Sequence, residues 1–195
     1  MAKYYFRLLL LVGSVIAVIA LIGSLLPRSY DFQTSVIVDA PSAKIFPYLN
    51  SLRAWPDWSR QWNPDEIEEL TITYNGAAEG VGAAQSWTDR RGDGKLWITE
   101  STANELVAFE MDFANFPRMS SRIELESSQP AGQTMVTWRS SGRLPAGPFY
   151  SYFGSFFSTR MRHEYEKSLA KLKQVVESDS TQAAQASEPG DPDQE

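Results

Sequence analysis

A long amphipathic pattern near the C-terminus constrains the fold more than any other stretch of the sequence. From Leu144 to Val176, apolar residues recur at steps of three and four, the spacing that places them on one stripe of an α-helix. The stripe is aromatic at its start, where Phe149, Phe153 and Phe157 lie, and aliphatic at its end. Such a helix needs a large apolar partner, and the segment before it is rich in strand-like patterns. We therefore expect one long helix packed across a curved antiparallel sheet.

The N-terminal segment predicts a membrane helix. Leu8–Leu26 carries no charged residue, and at about 1.5 Å per residue it can cross a hydrocarbon core of about 30 Å. Lys3 and Arg7 precede it, which predicts a cytoplasmic N-terminus and a translocated domain on the cell (inner) membrane. The rival interpretation is a cleaved signal peptide with Val18–Ala20 as a poor cleavage site. Because the apolar run continues past that site, we favour an uncleaved single-pass anchor within residues 1–30.

The middle of the chain alternates strand-like segments with turn signals. A first strand, Asp31–Asp39, precedes a short helix at Ser42–Leu52. Six further strands are predicted at Ile67–Tyr74, Ala83–Asp89, Lys95–Thr102, Leu106–Phe113, Arg118–Ser127 and Thr134–Gly142. No long helical segment separates them, so they should form an antiparallel meander. The predicted fold class is α+β in the order β-α-β6-α, with the domain at 31–177 and a disordered acidic tail at 178–195.

Composition excludes several classes of function. The formal net charge is −6, of which the tail 179–195 contributes −5, so the rest is close to neutral and unsuited to nucleic acid. Cysteine is absent, which excludes disulfides and thiolate chemistry. The single histidine, His163, falls on the predicted helix surface. No catalytic residue, metal site or cofactor motif is therefore assigned.

The opening of the predicted domain also carries a family resemblance. Ala40–Asn50 followed by Trp55–Ser59 resembles the opening of polyketide cyclase/dehydrase-like members of the START-like (SRPBCC) superfamily. Gly80–Ala83, Ile98–Glu100 and Val136–Trp138 fit the same pattern, and the resemblance covers about 32–177. It implies a helix-grip fold with a deep cavity between the sheet and the C-terminal helix. Because the superfamily includes lipid and hormone carriers as well as cyclases, the resemblance implies the fold more strongly than an activity.

Strand register decides which side chains face that cavity. If the hairpin after the Leu106–Phe113 strand is symmetric, Phe109 lies opposite Ile123, with Met111 on the same cavity face. Glu110 and Arg122 then form an outward ion pair, which contributes little to stability.

The next hairpin allows two registers. A four-residue loop sets Ile123 opposite Trp138, whereas a three-residue loop sets it opposite Arg139. We favour the first, because burying an unpaired arginine is costly. In the second register Arg139 would bind an anionic ligand by charge-assisted hydrogen bonds.

The tryptophans leave two further alternatives open. A five-residue loop at 90–94 would place Trp87 opposite Trp97, either as a stabilising cross-strand pair or as the wall of a cavity. Trp55, Trp58 and Trp62 lie in a loop, where they could border the cavity mouth, dip into lipid headgroups, or cap a small core.

Three functional hypotheses follow. The first is a membrane-anchored START-like domain that binds a hydrophobic or amphipathic, lipid-like small molecule and no nucleic acid. Its predicted ligand-binding residues are Trp87, Phe109, Met111, Ile123, Trp138, Arg139, Phe153 and Phe157. The second is a cyclase or dehydratase that uses an acid, base or donor from Glu100, Glu110, Tyr152 or Arg139, provided that one of them points into the cavity. The third is a scaffold whose cavity has collapsed.

Overall fold

The computed structural model describes residues 2–113, 116–128, 132–147 and 149–186, with side chains except at 2, 153, 155 and 182–186. Four α-helices and seven strands are present in this part of the chain. The helices are α1 (Ala2–Leu25), α2 (Ser42–Asn50), α3 (Trp55–Trp58) and α4 (Gly154–Ala186). The strands are β1 (Ser29–Val38), β2 (Thr71–Gly76), β3 (Ala83–Asp89), β4 (Gly92–Thr102), β5 (Leu106–Phe113), β6 (Phe116–Ser128) and β7 (Gln133–Arg143).

The seven strands form one curved, open antiparallel sheet in the order β1-β7-β6-β5-β4-β3-β2. Consecutive strands pair from β2 to β7, as short connections favour, and β1 closes onto β7 through ten residue pairs, from Ser29 opposite Arg143 to Val38 opposite Thr134. Helix α4 packs across the inner face. The predicted α+β helix-grip fold is confirmed.

Helix α4 covers the sheet unequally along its length. From its middle onwards Leu169, Leu172 and Val176 are fully buried, so the aliphatic stripe packs directly on the strands. In its first half Phe157 and Met161 are only half-buried. The sheet and the helix therefore separate at the end where β1 begins.

The predicted start of the long helix is wrong. Residues 144–147 are not helical, and a 3₁₀ turn at Tyr150–Phe153 precedes α4. Pro145 lacks an amide donor and Gly147 has a φ of 146°, which an α-helix does not allow. Leu144 is instead buried, and its amide donates a hydrogen bond to the carbonyl of Arg28 at 2.7 Å.

The C-terminal part of α4 contacts the segment around α2. Helix α4 continues to Ala186, beyond the predicted boundary at residue 177. Glu177 accepts a hydrogen bond from the amide of Asp39 at 2.7 Å, and Asp179 accepts one from the hydroxyl of Tyr48. These contacts order the first part of the segment that was predicted to be disordered. Residues 187–195 lie outside the described part of the chain.

Two predicted registers are wrong. Asp89 pairs with Gly92, so a two-residue turn joins β3 to β4 and places Trp87 opposite Gly94 rather than Trp97. Trp97 lies on the outer face, with the guanidinium of Arg118 4.9 Å from its ring centroid.

On β5, an irregularity between Met111 and Phe113 shifts the pairing with β6, so Phe109 lies opposite Ser121 rather than Ile123. That shift is two residues, so the predicted inward face of β5 is retained. The expected Glu110–Arg122 pair does not form: Arg118 contacts Glu110 at 3.1 Å, and Arg122 contacts Glu124 at 3.4 Å.

The favoured register between β6 and β7 is confirmed. Ser128 pairs with Gln133 and Ile123 with Trp138, which requires the four-residue connection. Arg139 therefore points to the outer face, where its guanidinium contacts Asp31 at 2.8 Å. The alternative in which Arg139 enters the cavity is wrong.

Helix α1 is long and apolar enough to cross a membrane. Its span Lys3–Leu25 has a mean hydropathy of 2.8 and is 6% buried, unlike a helix of a soluble core. A signal sequence near the N-terminus can meet the same criterion of length and apolar composition. Only Leu26, Pro27 and Arg28 separate α1 from β1.

Candidate functional site

A cavity of about 530 Å³ lies between the inner face of the sheet and the first half of α4. Its volume falls within the roughly 300–1,000 Å³ that is typical of small-molecule sites. The segment after α3 closes one side. The lining residues are Tyr30, Arg60, Gln61, Trp62, Glu66, Ile67, Trp87, Arg91, Met111, Phe113, Phe116, Pro117, Met119, Phe157, Arg160, Met161 and Glu164.

Six aromatic rings form a continuous wall around this cavity, which we call the aromatic collar. Neighbouring ring centroids along it are 4.5 to 6.3 Å apart, the range in which aromatic pairs attract one another. In order, the collar consists of Trp62, Trp87, Phe113, Phe116, Phe157 and Tyr30. Met111, Met119 and Met161 fill the gaps with adaptable thioether side chains. The wall is suited to a flat or flexible apolar molecule.

Charged side chains lie only around the rim of the lining. Arg60 pairs with Glu66, and Arg160 lies 3.7 Å from Glu164 on α4. Because the rim combines both signs of charge, it can accommodate the polar end of an amphipathic molecule without selecting one charge.

The hairpin between β3 and β4 adds a further charged pair to this rim. The Arg91 guanidinium donates a hydrogen bond of 3.1 Å to the carboxylate of Asp89, whose side chain is almost fully buried. Burial raises the pKa of Asp89, but hydrogen bonds from Arg91 outweigh it, and the pKa falls below its usual value. Asp89 therefore stays ionised and holds Arg91 at the mouth.

Three polar groups reach the inner face near the collar. Burial raises the pKa of the Tyr30 phenol to about 12, so its hydroxyl is neutral at physiological pH. Within the described part of the chain, the indole nitrogen of Trp62 and both amide atoms of Gln85 are buried without a hydrogen-bond partner. Gln85 lies two residues before Trp87 on the inner face of β3. Of these groups only Tyr30 and Trp62 line the cavity, so they are the ones nearest to a polar substituent of a ligand.

Behind the collar, the remaining space is filled by tryptophans. Trp55 and Trp58 are fully buried, and their indole nitrogens donate to the carbonyls of Leu49 and Tyr48, each at 3.0 Å. The Trp55 ring lies 4.9 Å from Phe109, and the Trp58 ring lies 5.8 Å from Trp138. These two loop tryptophans therefore cap the core, whereas Trp62 borders the cavity.

A buried hydroxyl network ties α4 to the sheet beside these tryptophans. The Tyr165 hydroxyl lies 3.0 Å from the hydroxyl of Ser140, which in turn contacts Ser121. The Tyr165 ring stacks on Trp138 at 3.8 Å between centroids. Burial raises the pKa of Tyr165 to about 12, although the serine hydrogen bonds act in the opposite direction. The network fixes the height of α4 above the strands.

The predicted ligand-binding residues separate into four groups. Trp87, Met111 and Phe157 line the cavity. The inward-facing Phe109, Ile123 and Trp138 are buried but do not line it. Arg139 lies on the outer face, and the side chain of Phe153 lies outside the described part of the structure.

The predicted ligand-binding residues include only two of the six collar residues, Trp87 and Phe157. Tyr30, Phe113 and Phe116 stand at the ends of β1, β5 and β6, and Trp62 lies in the segment after α3. The available signal was positional: β1, β5 and β6 each carry an aromatic residue within two positions of the same end of the sheet.

The residues considered for acid–base chemistry do not line this cavity. Glu100, Glu110 and Arg139 border a separate polar depression of about 440 Å³ on the outer face. Arg139 and Glu110 are paired there with Asp31 and Arg118. Tyr152 is exposed beside α1. In the described part of the chain, no cluster of three or more His, Cys, Asp or Glu side chains is arranged to hold a metal ion.

A curved sheet, a gripping C-terminal helix and a cavity between them define a START-like helix-grip domain. The family model described as "Polyketide cyclase / dehydrase and lipid transport" matches residues 29–177, and the chain belongs to that family. No curated protein matches the sequence significantly.

Solved structures share the fold at low identity. TTHA0849 from Thermus thermophilus has a TM-score of 0.58 and 13% identity, with 77% of this chain and 99% of that chain covered. The Aha1 dimer from Colwellia psychrerythraea has a TM-score of 0.54 and 17% identity, with 75% and 95% covered. The di-domain ARO/CYC BexL has a TM-score of 0.54 and 11% identity, with 75% and 50% covered. At these identities the likeness shows the fold alone.

Proposed function

We propose that this protein is a membrane-anchored binding module that holds one hydrophobic or amphipathic, lipid-like molecule in the cavity between its sheet and α4. The observation that carries the proposal is the aromatic collar around an apolar cavity of about 530 Å³. A scaffold with a collapsed core would not need this space. The family description, which includes lipid transport, supports the same class of ligand.

The distribution of polarity supports an amphipathic ligand. Apolar rings and thioethers form the wall, and charged groups lie at the rim around Arg60, Glu66 and Arg160. An apolar chain or ring system can therefore be buried while its polar end stays near the rim. Helix α1 would hold the domain at the membrane in which such molecules dissolve.

The experiment is native mass spectrometry of the full chain extracted from membranes, followed by organic extraction of the bound molecule. We expect one apolar or amphipathic molecule per chain. Met111→Trp replaces a thioether with a bulkier indole ring in the cavity and should strongly reduce the fraction of protein that carries ligand. Arg139→Gln alters the outer face and should leave the occupancy unchanged.

Two results would contradict the proposal. One is a ligand-free wild-type protein that also takes up no lipid from vesicles. The other is a bound molecule whose occupancy is unaffected by Met111→Trp, provided that the variant keeps the wild-type circular dichroism spectrum.

A further inference from the structure

The cavity opens at the end of the sheet that is tied to α1. Strand β1 begins at Ser29, which pairs with Arg143 at the end of β7. The turns from β3 to β4 and from β5 to β6 reach the same end, because neighbouring strands alternate in direction. Collar residues Tyr30 and Phe116 lie there.

The connection to α1 is too short to carry that end far from the helix. Three residues separate Leu25 from Ser29, and an extended chain spans at most about 3.6 Å per residue. The carbonyl of Arg28 already accepts a hydrogen bond from Leu144, so the last connecting residue is part of the domain. Where α1 spans a bilayer, the first residue of β1, at the same end of the sheet as the cavity mouth, must lie within about 15 Å of the helix end.

Exposed apolar side chains cluster at the same end. Among the described residues beyond α1, eight large apolar or aromatic side chains are exposed, and only Ile37 and Val81 lie elsewhere. The other six are Leu26, Phe116, Phe149, Tyr150, Tyr152 and Phe156. We call Phe149, Tyr150, Tyr152 and Phe156 the aromatic ridge. Phe156 is 70% exposed, which is unusual for a phenylalanine unless another surface covers it.

The ridge is continuous with the anchor helix. The Tyr152 hydroxyl donates a hydrogen bond of 2.6 Å to the carbonyl of Ile19, six residues before the end of α1. At 1.5 Å per residue, Ile19 lies about 9 Å below the end of the helix. This contact sets the ridge level with the outer headgroups and adjoining hydrocarbon, where tyrosine and other aromatic residues accumulate. Exposed Arg28 and Arg143 lie nearby, where lipid phosphates would be.

We propose that the aromatic ridge inserts into the outer leaflet of the membrane that holds α1, so that the cavity mouth faces the bilayer and exchanges its ligand directly with the lipid phase. The inference rests on the proposed function for the exchange of ligand, but the insertion of the ridge can be measured separately. In this proposal the bilayer covers the ridge, because Tyr152 of the ridge contacts Ile19, which lies within the candidate membrane span of α1.

The absence of cysteine from the sequence makes a site-specific depth measurement possible. Phe156→Cys and Tyr150→Cys would each carry one fluorescent label, and Val81→Cys would carry the matched control label. Each full-length protein is reconstituted into phosphatidylcholine–phosphatidylglycerol vesicles that contain nitroxide-labelled lipids. Labels at positions 156 and 150 should lose most of their fluorescence, whereas the label at position 81 should keep it.

A second measurement follows the exchange of ligand. A fluorescent fatty acid in the vesicles serves as the probe, and its uptake is followed by energy transfer from the collar tryptophans. The triple variant Phe149→Ser, Tyr150→Ser and Phe156→Ser should slow the uptake severalfold. The matched double variant Ile37→Ser and Val81→Ser should not change it.

The outcomes separate the two proposals. Quenched ridge labels with a ligand-free cavity would overturn the proposed function and leave membrane insertion intact. A bound ligand with unquenched ridge labels would overturn this inference and leave the binding function intact. Energy transfer between ridge labels on two chains, without quenching by lipid, would also overturn it and identify a second copy as the occupant.

Discussion

At the scale of single residues, Tyr165 couples the position of α4 to protonation. Its hydroxyl is fully buried and lies 3.0 Å from Ser140. Burial raises its pKa to about 12, whereas an unfolded tyrosine titrates near 10. The folded state therefore retains the proton more strongly than the unfolded state does. The contribution of the protonated Tyr165 hydroxyl to the free energy of unfolding is fully present below pH 10. It is lost as the pH rises from about 10 to about 12.

We predict that the free energy of unfolding of the wild-type protein falls steeply above pH 10. Tyr165→Phe should lower stability by about 1 kcal/mol at pH 7, because the buried serine hydroxyls lose a partner. The variant should also lose less stability than the wild type between pH 10 and 11. Two other phenols would contribute to the remaining dependence: burial raises the pKa of Tyr30 to about 12, and the hydrogen bond to Asp179 raises the pKa of Tyr48 to about 12.

The measurement is urea unfolding of both proteins in detergent, followed by circular dichroism at pH 7, 9, 10 and 11. Parallel pH profiles for the wild type and Tyr165→Phe would show that Tyr165 is not responsible for the alkaline loss.

At the scale of secondary-structure elements, the segment around α3 contributes three tryptophans with different roles. Trp55 and Trp58 belong to the core, and Trp62 belongs to the collar. Trp55 is the centre of the group, since its ring lies within 6.4 Å of Trp58, Trp62, Phe109 and Trp138. The segment therefore determines how much of the space under the sheet stays open.

We predict that Trp55→Ala lowers the free energy of unfolding by about 3–5 kcal/mol, the usual cost of removing a large buried aromatic side chain. Trp97→Ala is the matched control on the outer face and should cost clearly less, because its ring is only half-buried. Denaturant unfolding of the full chain would measure both. Equal losses would contradict the assignment of Trp55 to the core.

The strands show how far pairing could be predicted from the sequence. Alternation identified the strands, and the alternating face of β5 was correct even though its register was shifted by two residues. The prediction of the β3–β4 turn was wrong because it treated Gly92 and Gly94 as turn residues. Gly94 is a glycine for another reason: a Cβ there would collide with the Trp87 ring. This requirement comes from packing across the hairpin, which the local sequence pattern does not reveal.

The site was less predictable than the fold for the same reason. The aromatic start of the amphipathic pattern correctly placed Phe157 at the cavity. Arg139 was ambiguous because a slip of one residue reverses its face. Phe113 and Phe116 flank a single turn, but Tyr30 joins them only after β1, remote in sequence, closes the sheet and Phe157 packs between Tyr30 and Phe116.

At the scale of the whole molecule, the three-residue connection between α1 and β1 limits how far the domain can move from α1. A flexible insertion lowers the effective concentration of the domain at the membrane as its length grows. We predict that about 15 Gly/Ser residues inserted between Pro27 and Arg28 slow the uptake of a fluorescent fatty acid from vesicles and reduce lipid quenching of a label at Phe156→Cys.

The control carries the same insertion at residue 132, in the loop between β6 and β7, and should behave like the wild type. Gly132 is exposed, and no atom lies within 4 Å of the position its Cβ would take, so the site has room for added chain. Unchanged uptake with the insertion after Pro27 would show that the short connection has no part in ligand exchange.

The short connection also affects how the affinity of the cavity for its ligand should be expressed. If the mouth lies at the lipid surface, as proposed above, it samples a two-dimensional solvent, and its occupancy depends on the mole fraction of ligand in the membrane and not on its molarity in water. Diluting vesicles tenfold at fixed lipid composition should leave the bound fraction of a water-insoluble ligand unchanged. Adding ligand-free lipid to the same bilayers should empty the cavity in proportion.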